Sequence, residues 1–438
     1  MKAGIWIAVV LMLSACGFLP YSHTNIERRD SVIEPSRATL NVTPERGRDD
    51  TLFVLALSGG GSRAAYWSAN VMLALQTTFP DLDMLCEVDV ISSVSGGSLP
   101  AAYYGISTDA KPCAGAVAQP GYGRGWDRAV VRRLMRKDYI NKWFGNWFWP
   151  TNIAKYWTTS YDRSDIMAQT LADNLYDKRP MGWDLTMADL LPDRPYLILN
   201  ATNGTSNTFG ESFTFTAEDF LTLKSDINDY NLGRAVMGTA TFPAVFNYMT
   251  LRNFDQGAYT HVFDGGNVDN LGLTGVSRML DAMGDEIPQR VIVILVDAYT
   301  GKSGVDPGKS DSRRFADFII DSNFIDATDS LLAANRKRAV KNFKQRLTEL
   351  MDSDATKSRK SHTIFYHVQF ADVQDAGLKA AVNDIPTNFK ISRPNTKVID
   401  QVVAHLLNPE NTCLRAIKDL LSGGDYANAN GTQCTYTK

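Results

Sequence analysis

The chain lacks any apolar run of the roughly 20 residues that a membrane-crossing helix needs; the stretch at its N-terminus, Ile5 to Leu13, is too short. It also lacks an excess of charge of either sign. The 45 Lys and Arg against 48 Asp and Glu leave a net charge of -3, which gives no reason to expect nucleic acid as a partner. Cysteine and histidine are scarce, five of each, and His23, His261, His362, His367 and His405 form no close cluster with the cysteines. Metal-ligand spacing is therefore missing, and neither a metal nor another cofactor is expected. Internal repeats are absent too. What remains is an ordinary globular composition, 44% hydrophobic and 21% charged over 438 residues, enough for one large domain with insertions or two modest ones.

What is present begins with a targeting signal. Lys2 supplies a positive start, Ile5 to Leu13 a short apolar stretch, and Leu13-Ser14-Ala15-Cys16 follows at once. The arrangement resembles a bacterial lipoprotein signal with its lipobox. That resemblance implies removal of residues 1–15 and lipidation of Cys16, each buried CH₂ adding roughly 0.8 kcal/mol of membrane attachment. Gly17 is not the Asp that tends to keep such lipoproteins at the inner membrane, so the expected location is the bacterial cell envelope, at the outer membrane facing the periplasm. An ordinary cleaved signal beside an unrelated cysteine is the alternative. Prolines and mixed charges from Leu19 to Asp50, without sustained periodicity, predict a polar tether over 16–50. The folded domain is then 51–438.

With Cys16 set aside, Cys86, Cys113, Cys413 and Cys434 form an even set in a chain bound for an oxidising compartment. Pairing of sequence neighbours, Cys86 with Cys113 and Cys413 with Cys434, is expected among the three connectivities; four buried thiols are the other reading.

Thr51 to Leu57 is a β-rich apolar run that breaks at Ser58-Gly59-Gly60-Gly61, and Arg63 to Phe79 continues at helical spacing. Val88 to Val94 is a second buried-strand candidate, ending in Ser95-Gly96-Gly97, and Leu99 to Tyr104 opens another helix. Strand-like runs return at Tyr196 to Asn200 and Val291 to Val296, with a helical pattern from Ser330 to Met351. Strands interleaved with helices predict an α/β sandwich with a largely parallel sheet. Residues 121–183 differ: Arg132, Arg133, Arg136 and Lys137 precede Trp143, Phe144, Trp147, Phe148, Trp149, Tyr156 and Trp157. This aromatic-rich stretch is expected to be an insertion, either an interfacial cap over the active site or an aromatic mini-core.

Three motifs carry chemistry. Ser93-Val94-Ser95-Gly96-Gly97 sits where a buried strand should turn sharply into a helix, so that Ser95 is presented clear of the backbone; small neighbours at Ser93 and Gly97 let the elbow close. Gly59-Gly60-Gly61-Ser62-Arg63 lies between a strand and a helix start, where unencumbered N–H groups can converge on an oxyanion, each contributing about 2.7–4 kcal/mol in the transition state. A phosphate-binding loop looks similar, but neither the Lys-Ser/Thr ending nor the dinucleotide glycine spacing is there. Phe263-Asp264-Gly265-Gly266 offers a carboxylate at a strand end, able to take a serine proton.

In this order the motifs resemble the patatin-like phospholipases, as does the small-residue segment from Ala235 to Phe246 that precedes the aspartate. The likeness runs from about Thr51 to Asp297. It implies a three-layer α/β/α sandwich, a Ser95/Asp264 dyad, an oxyanion loop of Gly59, Gly60 and Gly61, and an acyl lipid such as a phospholipid as substrate. Arg63 is a candidate support for phosphate or oxyanion, with a surface or structural salt bridge as its other reading. Two departures stand out: Ser93 replaces the elbow glycine, and Ala64 stands where many members have glycine after the basic residue. A Ser-His-Asp triad completed by His362, His367 or His405 is the competing acyl chemistry, although Ser95 comes too early in the strand order for it. An acyltransferase with the same dyad and a non-catalytic lipid-binding or scaffold protein on the same fold are the remaining alternatives.

Overall fold

The computed structural model describes residues 22–29, 35–44, 50–108, 113, 125–243, 245–301, 322–354 and 362–424. Eight strands form one mixed sheet: β1 (Thr51–Leu57), β2 (Val90–Val94), β3 (Tyr196–Asn203), β4 (Ser212–Thr214), β5 (Met249–Asn253), β6 (Ala258–Asp264), β7 (Arg290–Asp297) and β8 (His362–Gln369). Their order is β5-β6-β3-β2-β1-β7-β8, with β4 also paired to β3. Strands β3, β2, β1, β7 and β8 run parallel, while β4, β5 and β6 join antiparallel at one side.

The three layers follow from the period of 2 along a strand. In β1, Phe53, Leu55 and Leu57 enter one core, while Leu52, Val54 and Ala56 enter the other. On the first face lies helix α1 (Gly61–Leu75), buried throughout from Arg63 to Leu75, with α2 (Ser98–Ile106) beside it. The second face is covered by the helix Leu273–Met283, through Met279 and Leu280, and by Phe343 and Leu347 of the long helix Ser322–Asp354. Strands buried on both faces read as continuous apolar runs, which is why β1, β2 and β7 were visible in the sequence. Cys86 and Cys113 form the expected disulfide. Cys413 is buried, and its expected partner Cys434 lies outside the described residues, as does Cys16.

The tether expectation needs correction over 22–29 and 35–44. His23 bridges to Thr250 and Glu27 to Ser225, and Asn25 exchanges hydrogen bonds with the backbone of Arg252. Further on, Ala38, Leu40 and Val42 are core residues, and Thr39 donates to Glu218. Three apolar residues at alternate positions are enough to dock an extended segment, yet too few to register as periodicity among prolines and charges.

Within the stretch 121–183 the described residues form α3 (Arg128–Met135), α4 (Tyr139–Trp147), α5 (Pro150–Thr158) and α6 (Arg163–Asn174). Asp127, Asp138 and Asp162 cap α3, α4 and α6, and Pro150 opens α5, the helix-start chemistry the segment's sequence carries. The mini-core reading holds for part of its aromatics. Trp143 is buried, packing on Phe246 and Trp147, and Trp147 on Tyr156. The rest of the aromatic set, including Phe148 and Trp149, faces solvent. Among the described residues no helix is long and apolar enough to cross a membrane.

Candidate active site

Strand β3 acts as the ruler that assembles the site. Val94, the last residue of β2, pairs with Asn200, and the next residue of β3, Ala201, pairs with Asp264 at the end of β6. Ser95 and Asp264, 169 residues apart in sequence, therefore meet, and Ser95 Oγ donates to Asp264 Oδ2 at 2.9 Å. Ser95 has φ 49, the left-handed region that a non-glycine residue enters at a cost of order 1–3 kcal/mol. This turn lifts the hydroxyl off the strand, as the elbow motif requires.

The elbow closes because its neighbours lack bulk. A Cβ on Gly96 would stand 2.1 Å from the Gly61 carbonyl oxygen, and one on Gly97 2.6 Å from that of Ser58. Ser93, the departure from glycine, points inward, fully buried, with its Oγ 3.0 Å from that of Ser98. Leu57 pairs with Ser93, so the loops after β1 and β2 lie side by side.

The three glycines of the first loop divide their work. Gly59 N–H donates to Asn270 O at 2.9 Å, which removes it from the expected set of oxyanion donors. Its part is spatial: a Cβ there would be 3.2 Å from Ser95 Cβ and 2.2 Å from Asn270 Oδ1. Gly60 and Gly61, at φ 135 and 60, adopt backbone conformations open to glycine, and among the described residues no acceptor takes their N–H groups. Both stand at the N-terminus of α1, the positive end of a 15-residue helix. Ala64 lies buried in the first turn of α1.

Arg63 takes the structural one of its two readings, with backbone carbonyls rather than an acid as partners. Its side chain is buried, Nε donating to Ala298 O at 2.9 Å and Nη1 to Ile385 O at 2.7 Å. The guanidinium fastens two loops to the start of α1, a structural duty rather than phosphate support.

Asp264 is buried, with Oδ1 accepting from Gly266 N–H at 2.8 Å. Burial pushes its carboxyl up to about 6, against the opposing pull of the Gly266 and Ser95 hydrogen bonds. Thr202 Oγ1 donates to the Asp264 carbonyl at 2.9 Å, and the Asp264 N–H donates to Thr241 O. Asp269 holds the following turn, accepting from Leu271 and Thr274. No histidine among the described residues bonds Ser95 or Asp264. His367 lies 2.9 Å from buried Asp297, His405 accepts from Gln374 N–H, and His362 begins β8 opposite Arg290, at the far end of the strands from Ser95. No three His, Cys, Asp or Glu side chains among the described residues converge as a metal site.

Sequence reasoning missed Asn200, whose Nδ2 donates to Ser92 Oγ and to the Ser93 carbonyl, pinning the strand just before the elbow. The signal was available: a lone Asn inside the apolar run Tyr-Leu-Ile-Leu-Asn must find partners when buried.

A family model described as patatin-like phospholipase matches residues 55–276, about half of the chain. Among solved structures, VipD from Legionella pneumophila is similar at 14% identity and TM-score 0.32, covering 94% of this chain and 73% of that one. Human GIVD cytosolic phospholipase A2 is similar at 10% identity and TM-score 0.43, covering 85% of this chain and 62% of that one. The same human enzyme in complex with methyl gamma-linolenyl fluorophosphonate and terbium chloride gives 12% identity and TM-score 0.40, covering 88% and 63%. The chain thus spans less than two thirds of the human enzyme. No curated protein matches it.

Proposed function

The chain belongs to the patatin-like phospholipase family, and from that premise we propose that it is a serine acyl-ester hydrolase of the bacterial envelope in which Ser95 is the nucleophile and Asp264 its base. The observation that carries the reading is the 2.9 Å hydrogen bond from Ser95, set on a left-handed elbow, to a buried carboxylate. With a pKa near 6, Asp264 is mostly ionised at neutral pH and takes the Ser95 proton as Oγ attacks the ester carbonyl. The proton then passes to the departing alcohol, and water releases the acyl group from Ser95 in a second round. Gly60 and Gly61 N–H groups are the donors for the developing oxyanion, backed by the end of α1.

Below pH 6 the base is protonated, so the rate falls on the acid side. The Cys86–Cys113 disulfide supports an exported, oxidising location. Lipidation of Cys16 and outer-membrane attachment facing the periplasm complete the proposal, resting on the N-terminal motif. An acyltransferase would use the same groups with an alcohol in place of water; product analysis with and without an added acceptor lipid separates the two. A scaffold role has no need of an intact dyad.

The test is mass spectrometry of products from mixed envelope phospholipids. The protein should release free fatty acid and Ser95→Ala should not; equal release by both refutes the assignment.

A further inference from the structure

The inserted helices hold a set of rings that the core does not use. Ile153 and Trp157 stand four residues apart on one face of α5 and Trp149 caps its start; they are 37%, 45% and 64% exposed, while α5 buries no residue at all. Phe144 and Phe148, 45% and 70% exposed, add two more outward rings at the end of α4, next to α5 in sequence. An exposed apolar face of this kind marks an interaction surface. Its base is fixed, because Trp143 and Trp147 pack inward and hold the outward rings in place.

Three observations identify what covers it. The first is charge: from Arg133 to Ser160 the chain carries five Lys and Arg against a single acid, Asp138, although the whole molecule is net negative. Arg133, Arg136, Lys142 and Lys155 are exposed, and Asp138 is taken by Lys390. The second is where the described chain begins. Ser22 Oγ donates to Asp165 in the first turn of α6, eight residues beyond Trp157. Cys16 lies six residues earlier and so within about 20 Å of that point. The third is position. Phe246 carries Trp143 on one side and Phe389 on the other, and the neighbouring Asn388 carbonyl accepts from Ser62 beside the glycine loop.

We propose that the exposed face of α4 and α5 seats the enzyme on an anionic phospholipid bilayer, its rings at the headgroup boundary and its cations on the phosphates. Indole rings satisfy both sides of that boundary, and the basic residues draw the face to negative lipid. The anchor and the face then meet one surface, with the glycine loop beside it. The inference rests on the lipid-substrate reading for the choice of surface.

The experiment uses the full chain carrying Ser95→Ala, so that the lipid stays intact, on vesicles of phosphatidylethanolamine and phosphatidylglycerol with brominated acyl chains. Bromine quenches tryptophans that enter the bilayer, and the quenched fraction should fall in Trp149→Phe/Trp157→Phe, whereas Trp183→Phe, which removes another exposed ring, should not lower it. In a second arm on the active protein, Trp149→Ser/Ile153→Ser/Trp157→Ser should lose at least about tenfold in rate on vesicles relative to a short soluble ester, with the melting temperature unchanged. Quenching that is indifferent to Trp149 and Trp157, equal losses on both substrates, or self-association abolished by the triple change overturns the proposal, the last in favour of a second copy on this face. Quenching as expected without hydrolysis of any lipid by the active protein would instead remove the enzymatic reading and leave the docking face standing.

Discussion

Asp264→Asn should abolish activity and, at neutral pH, stabilise the fold. The carboxyl sits at about 6 in the folded protein against an ordinary 3.8, a consequence of burial. Two units at 1.36 kcal/mol each mean that keeping Asp264 ionised costs the native state about 3 kcal/mol. The sign follows from the raised value: this group's favourable contribution is fully present below about pH 4 and is lost as pH rises through 6. Asparagine does not titrate, so the stability of Asp264→Asn minus that of the native sequence should climb between pH 4 and 7 and then level. Exchanging an oxygen for an amide adds an offset that is the same at every pH, so the slope carries the test. A stability change of 1 kcal/mol moves the melting temperature by roughly 2–4 °C in a domain of 150–250 residues and by less in a longer one, so the rise amounts to a few degrees. Paired melting curves from pH 4 to 8 measure it. A flat or falling difference would show that Asp264 is not strained by ionisation, and the account of its pKa would fail.

Gly96→Ala places a methyl 2.1 Å from the Gly61 carbonyl, pushing the elbow off the glycine loop, and should lower kcat on a soluble ester by about 10²–10³, as loss of an oxyanion donor does; full activity would show the two loops do not need this contact. Replacing Cys86 and Cys113 by serine opens a cross-link spanning 27 positions and should cost roughly 3–4 kcal/mol; an unchanged denaturation midpoint would contradict it. Asp297 would be raised by burial, but the hydrogen bond from His367 and the charge of Arg336 hold it at about 2. Asp297→Ala leaves that arginine without its buried partner and should cost about 3–5 kcal/mol in urea unfolding, and a loss under about 1 kcal/mol would mean the network relaxes.

The parallel half of the sheet was legible because strands covered on both faces must be apolar, and β1, β2 and β7 announce themselves that way. The elbow and Asp264 were legible for a related reason: tight turns at strand ends need small residues in fixed places. The antiparallel side was not. β5 and β6 carry Thr, Arg, Asn and His, and polar strands at a sheet edge look like loops. Nor could spacing show that Gly59 spends its N–H on Asn270, or that Arg63 turns to two carbonyls from distant segments. Those duties depend on which loops the register of β3 and β7 brings together, and register is a property of the assembled sheet.

The most direct test of the central claim is covalent trapping. An alkyl fluorophosphonate reacts with a serine only when a base removes its proton and nearby donors hold the developing charge. Incubation followed by intact mass and peptide mapping should give one adduct per chain, on Ser95, absent from Ser95→Ala and strongly slowed in Asp264→Asn. A protein that cleaves lipid esters yet takes the label on another residue, or takes none, would contradict the dyad.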